Sequence, residues 1–291
     1  MSKDIQPTFA KNSTFEVFRY QLVVDKTMPI NMFGKYENAE QLRAEKNNIL
    51  KDIITKDTFR FTSSNSSIKS KLVHQSGDMF YFKISAKRTA HIYREDFTED
   101  TIDNYPNIIV AINNNPDVQK IAIQTNTTAF KTSQIVRNFI LESVDAKIKD
   151  FNLGFYLDPI YDKQDFWNFV RKYPQQIKQI TFDLISPNLS NISKDLTVNL
   201  RELYEDTNTH RTKIELNAEP ESVLDVKEGS KFVTGIVDYS ANGGGSIHAR
   251  LVGSRKKYNT AENPAEFNIE EKLFKDNNWE ELDKQFKDIL I

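Results

Sequence analysis

The sequence predicts an α+β protein: a mostly β N-terminal subdomain with one early helix, then a mixed α/β C-terminal subdomain with an antiparallel hairpin and terminal helices. Three observations predict it. Short runs rich in Phe, Tyr, Ile and Val, separated by polar turns, dominate the chain up to Thr125. From Thr128 onward, runs with apolar residues at helical spacing begin to alternate with such strands. The end, from Glu262, is acidic and helical in pattern. These shifts divide the chain into a β-rich part over 1–130, an α+β part over 131–261 and an acidic helical segment over 262–291.

After a polar arm, "TFEVFRYQLVV" (Thr14 to Val24) has the aromatic and β-branched composition of a strand. In "NAEQLRAEKNNILKDIIT", Leu42, Ile49, Leu50 and Ile53 recur near helical spacing among strong helix formers, which predicts an amphipathic helix over 38–54. "TFRFTS", "IKSKLVHQS", "MFYFKISAKRTAHIYRED", "IIVAIN" and "KIAIQT" then read as strands, with "QSGD" and "NNNPD" as breakers. "TSQIVRNFILESVDAKIKD" places Ile135, Phe139, Ile140 and Val144 on one helical face, with Thr132 or Ser133 available as N-cap. "FNLGFYLDPI" is a strand and "KQDFWNFVRKYP" a short helix that turns Phe166, Phe169 and Val170 one way; "IKQITFDLIS" is a strand stopped by "PN". "KDLTVNLRELYEDTN" gives a helix, "TKIELNAE" a strand and "VLDVKEG" a short helix or turn. "KFVTGIVDYSA" and "SIHARLVGS" form a pair of strands, before one or two amphipathic helices in "IEEKLFKDNNWEELDKQFKDIL".

With 291 residues, 38% hydrophobic and 27% charged, the chain can bury a sizeable core. The absence of cysteine excludes disulfides, thiolate metal sites and cysteine nucleophiles, and His74, His91, His210 and His248 offer no closely spaced ligand pair. The start carries no apolar signal core and no run is long enough to span a bilayer, so the chain is expected in the cytoplasm. Net charge is −2, which argues against nucleic acid until its distribution is considered. Residues 262–291 hold nine acids against four lysines, leaving an excess of three positive charges on the rest.

The stretch "IVDYSANGGGSIHARLVGSRKKYNT" combines three glycines with a basic knot. A phosphate loop needs a lysine after the glycines and a helix beyond them. Here Ser246 follows Gly245 and the next residues alternate as a strand, so the glycines are expected to form a tight hairpin bend. Arg250, Arg255, Lys256 and Lys257, with Tyr258 to stack, then present phosphate contacts on a hairpin. A second cluster, Lys83, Lys87, Arg88, His91 and Arg94, lies on another hairpin; the alternative for both is a solvated, charge-protected sheet edge. The acidic terminal helices are expected to lie over the basic loop and compete with DNA.

For metal-dependent nuclease chemistry, Asp183 in "ITFDL" and Glu215 in "KIELN" supply strand carboxylates that would hold Mg2+ or Mn2+, but Asn217 stands where an acid-x-Lys triplet needs lysine. No Gly-x-Ser-x-Gly elbow occurs, and the acids of "REDFTED" and "AEPES" read as surface charge in turns. Without a complete catalytic set, the leading expectation is a non-enzymatic binding protein without cofactor. A third reading is a protein-interaction module that uses the apolar faces around Trp279 and Phe286.

The order of a strand ending in "ISPN", the helix "LRELYEDT", the strand "KIELNAE", the segment "YSANGGGSIHARLVG" and the loop "YNTAENP" resembles the C-terminal part of RexA-like phage-exclusion and abortive-infection proteins. The likeness of pattern extends over Phe15 to Pro264. It implies a cytoplasmic, homodimeric, DNA-binding sensor or effector of an antiphage system, acting with a partner protein.

Overall fold

The computed structural model describes residues 11–26, 36, 38–63, 67–186 and 200–290. Its spine is β1 (Asn12–Val24), a thirteen-residue strand that contributes to three separate contacts. On one side β1 pairs antiparallel with β7 (Lys120–Gln124); on its other partners, its first half pairs with β13 (Glu266–Glu270) and its second half with β8 (Leu153–Pro159). The sheet continues through β6 (Asn107–Asn113) and β3 (Met79–Ala86) to β2 (Ile68–Ser76). The α+β class holds, with antiparallel sheets, a strand-rich first half containing one early helix, and helices at the C-terminal end.

Because strand side chains alternate between faces, β1 feeds two different cores. Phe18, Tyr20, Leu22 and Val24 join Phe80, Phe82, Val110 and Ile123 under α1 (Ala39–Ile54) and α2 (Ser133–Ile148). Asn38 caps α1 by accepting from the Gln41 N–H at 2.9 Å, and a buried amide cluster pins the helix to the sheet: the Asn47 side chain meets Asn114 at 3.1 Å, and Tyr20 donates to Asn114 at 2.6 Å. On the opposite face, Phe15, Val17, Tyr81 and Ala111 pack against Leu282 and Phe286 of α7 (Trp279–Ile289) and Leu290 just beyond it, reached through α6 (Glu271–Lys275).

A second sheet of four antiparallel strands follows the order β10, β9, β11, β12, with β9 at Ile177–Ile185, β10 at Arg211–Asn217, β11 at Gly245–Leu251 and β12 at Lys257–Asn259. One face packs Ile180, Phe182, Leu184 and Ile247 against α3 (Lys163–Lys172) and α5 (Lys231–Tyr239). Beside it, α4 (Leu200–Thr207) sets Tyr204 against Val23 and Ile185. A two-stranded ribbon, β4 (Arg88–Tyr93) with β5 (Glu99–Asn104), stands apart from both sheets.

Several sequence expectations change. "KFVTGIVDYSA" is helix α5 rather than a strand: Ile236 and Val237 are buried against the second sheet, and this tertiary contact overrides the β-branched composition. The "SANGGG" segment is therefore a helix-to-strand turn and not a hairpin bend, and the hairpin of this region is β11 with β12. "TFRFTS" is extended chain with a single bridging residue; Phe59 and Phe61 are buried under the helices without pairing into a sheet. Of the two forms expected for "VLDVKEG" it takes the turn, at Glu228 and Gly229; Ile135 is exposed while Val136 takes the buried place in α2, and the acids of "REDFTED" include the first two residues of a strand, Glu99 and Asp100. The sheets also disregard the boundaries at 130 and 261, since α2, β8, β13, α6 and α7 all build on the first sheet. The acidic end lies on that sheet and not over the basic loop, and of the two side chains expected to mark a partner face Phe286 is fully buried inside the chain and Trp279 partly so.

The glycine turn is where the two sheets meet. Gly243 adopts φ 78°, and a Cβ there would stand 2.4 Å from the Cβ of Arg19 on β1. Gly245 adopts φ 144°, and its Cβ would strike the Asp183 carbonyl at 2.1 Å. Both positions need the missing side chain. The turn is then fastened by Arg19, which donates to the Asn242 carbonyl at 3.1 Å, and by the Tyr161 N–H, which donates to the Ala241 carbonyl at 3.1 Å.

Candidate functional site

The site lies on the face of the second sheet that no helix covers among the described residues. On β9, Ile180, Phe182 and Leu184 point to the core, so Gln179, Thr181 and Asp183 point the other way. Register places polar side chains beside them in rows. Asn217, Gln179, Arg250 and Lys257 form one; Glu215, Thr181, His248 and Asn259 the next; Lys213, Asp183 and Ser246 the third. A groove of about 340 Å³ runs over Gln179, Thr181, Lys213, Glu215, Arg250 and Lys257.

Its charge is set by what is left unpaired. Among the described residues, no ion pair engages Lys213, Arg250, Arg255, Lys256 or Lys257. Glu215 is the acid in the groove; a hydrogen bond from Asn217 at 2.8 Å, with Gln179, Lys213 and Arg250 nearby, holds its carboxyl below the ordinary range. His248 is pushed below its ordinary value by partial burial, against the pull of Asp183 and with Lys213 and Lys257 adding to the effect, so it is neutral at pH 7. Three cations against one carboxylate leave the groove positive.

The other expected residues go elsewhere. Tyr258 turns to the opposite side of β12 and stacks on Phe169 at 4.0 Å. In the second cluster, Lys87 pairs with Asp103 at 2.8 Å, Arg94 with Asp100 at 2.5 Å and His91 with Glu99, all across the ribbon, while Arg88 donates to the Ala129 carbonyl at 2.5 Å. Cross-strand acids thus pair with three of the five side chains that the sequence grouped. Lys83 lies on β3, opposite Lys71 and away from the second sheet.

Asp183 and Glu215 do share the open face, on adjacent strands. However, Asp183 faces Arg211 at 3.0 Å and Glu215 holds Asn217. No group of three or more His, Asp or Glu converges among the described residues. Ser246 meets His248 at 3.2 Å, a pair that sequence spacing did not single out, yet the acid nearest to them is the one bound to Arg211.

The larger cavity, about 540 Å³ between α2, β8 and the start of β10, is occupied by structural pairing. Asp158, buried there, lies 3.2 Å from Arg137 and 3.4 Å from Arg211. Burial pushes its carboxyl up, and the two guanidinium groups pull it back. Arg137 also donates to the Leu157 carbonyl at 2.5 Å and Asp145 accepts from the Phe155 N–H at 3.3 Å, which closes the outer edge of β8.

Gln179, Thr181 and Lys213 were missed by motif logic. The signal for Lys213 was the alternation in "TKIELNA", whose polar positions Lys213, Glu215 and Asn217 are the exposed ones; Gln179 and Thr181 stand at the corresponding alternate positions of "IKQITFDLI". No family model, curated protein or solved structure matches the chain.

Proposed function

We propose that this protein binds nucleic acid, DNA in the leading case, through the open face of its second sheet. The observation that carries the reading is the set of five cations on β10, β11, β12 and their connecting loop, none of them ion-paired among the described residues. A cation without an acidic partner is available to a phosphate, and each phosphate contact releases counterions and makes affinity fall with salt. Gln179, Thr181 and Asn259 add uncharged hydrogen-bonding groups between the cations.

The test is DNA affinity measured by fluorescence anisotropy over a range from about 50 to 200 mM salt. Replacing Lys213, Arg250 and Arg255 together by Ala is expected to weaken binding and to reduce the slope of log K against log salt by about 2. A wild-type slope in the triple variant, or affinity indifferent to salt, defeats the reading.

We propose further that such binding serves phage exclusion, as the resemblance of Phe15 to Pro264 to RexA-like proteins implies, with a homodimer acting beside a partner protein. Plating of phage on cells that carry the triple variant tests this setting: protection retained without the cations would separate it from nucleic-acid binding.

A further inference from the structure

Behind β12, on the helix side of the sheet edge, lies a second cavity of about 340 Å³. Its wall is aromatic. Phe169 stacks on Tyr258 at 4.0 Å with their planes 18° apart, and Tyr173 follows at 5.3 Å from Phe169. Its rim is cationic: Lys172, Lys256 and Lys257 stand around the mouth with Asn168 and Ser254. None of the three lysines has an ion-pair partner among the described residues, and Lys172 lies 5.5 Å from the Tyr173 ring centroid. Arg171 donates to the Asn168 side-chain oxygen at 2.8 Å, which orients that amide with its NH2 group left to donate. The Tyr258 hydroxyl is buried without a hydrogen-bond partner among the described residues.

An aromatic wall, an amide donor and a ring of ammonium groups suit a planar, hydrogen-bonding group that carries a phosphate. The volume lies at the small-ligand end of binding cavities, about 300 Å³ and upward. Lys257 lines both this cavity and the groove on the open face. Consecutive β12 residues thus serve the two sides of the sheet edge: Lys257 sits opposite Arg250 and Tyr258 opposite the buried Ala249. A backbone held at the open face passes this edge within reach of the cavity.

We infer that the cavity takes an unstacked base of a single-stranded nucleic acid whose phosphates lie on the open face; the inference rests on the nucleic-acid reading above and narrows its substrate to single strands. Duplex DNA, with its bases paired, leaves the cavity empty. A base against aromatic rings is recognised through its π-face, so preference among bases is weak.

The experiment compares four probes against the full chain: a labelled oligothymidine, an abasic strand of the same length and charge, a duplex of that length, and thymidine monophosphate as competitor. Oligothymidine is expected to bind about tenfold more tightly than the abasic strand, the scale of one base stacked on an aromatic side chain. Tyr173→Ala and the exposed-rim variant Lys172→Ala are expected to narrow this difference, and the latter leaves the folded core untouched. Equal affinity for oligothymidine and the abasic strand, or tighter binding of duplex, overturns the inference and leaves the phosphate reading standing. Absence of binding by every strand defeats both. Capture of the mononucleotide without any strand binding also overturns the proposal and assigns the cavity to a free nucleotide.

Discussion

The two sheets differ in how many faces they cover. The first has α1 and α2 on one side and α7 with the glycine turn on the other, so adjacent residues of β3, Phe80, Tyr81 and Phe82, are all buried. Among the described residues the second is covered on one face, mainly by α3 and α5, and along β9 the buried Ile180, Phe182 and Leu184 alternate with Thr181 and Asp183, which are partly open. A doubly covered strand owes every side chain to packing, while a singly covered strand leaves half its positions outside that demand. The candidate site occupies those positions.

The largest expected effect is the loss of packing, and it sharpens the contrast by face. Tyr81→Ala and Phe82→Ala, on opposite faces of β3, are each expected to destabilise by about 3–5 kcal/mol. On β9 only the core position behaves so: Phe182→Ala is expected to cost about 3–5 kcal/mol. Urea unfolding of the three variants checks this, and a mild Tyr81→Ala would show that the α7 layer contributes little.

Next comes a charge held under the first sheet's helices. Lys46 on α1 is buried, and that burial, with Arg43 nearby, pushes its ammonium down to about 8. The folded value lies below the unfolded one, so between them the unfolded chain binds more protons and stability rises with pH. Below about pH 8 the full penalty is present, roughly 3 kcal/mol for a shift from 10.5 to about 8. Lys46→Met is therefore expected to be more stable than wild type at pH 7, with the gap shrinking toward pH 10. A gap that does not change with pH removes the assignment.

A smaller effect belongs to the other cover of that sheet. Asp283 on α7 accepts from Tyr81 at 2.9 Å and Ser76 at 2.9 Å and pairs with Lys287 at 2.5 Å. Burial pushes its carboxyl up, but these partners together bring it below the ordinary value. The stabilisation is complete above the unfolded value near 4 and is lost as pH falls through the folded one. Asp283→Asn is expected to cost about 1–3 kcal/mol at pH 7 and less in acid. A deficit that persists unchanged at pH 3 would show that the carboxylate charge is not what docks α7.

Much of this contrast was legible in the sequence, though unevenly. The continuous apolar run "MFYF" and the alternating "TKIELNA" carry the difference between a doubly and a singly covered strand in their period, although both read only as strands. Helix α1 followed from local spacing, although Asn38, expected as its first residue, is its cap. What stayed hidden was set by partners distant in the chain. Helix α5 has strand-like composition because its Ile236 and Val237 face a sheet. The lysines and arginines of the ribbon looked like a basic patch until register placed Asp100 and Asp103 against them. Tyr258 was assigned to the surface, and its parity on β12 sends it to Phe169. Charge counts along a sequence cannot distinguish a cation with a cross-strand acid from one without, because the pairing is decided by the turn that sets the register.

The smallest expected effect bears most directly on function. Thr181→Val on the open face of β9 exchanges one β-branched side chain for another between Glu215 and His248, with the core side of the strand unchanged. The change in stability is expected to stay within about 0.5 kcal/mol. Lys213→Ala is expected to fall in the same range, because no ion pair engages that lysine among the described residues, yet to weaken nucleic-acid affinity. If urea unfolding instead shows either variant losing as much as Phe182→Ala, the face is covered in solution, and its polar residues are there for folding. If both are neutral to folding, stability places no demand on the rows that hold Lys213, Arg250 and Lys257, and their arrangement is accounted for by what they bind.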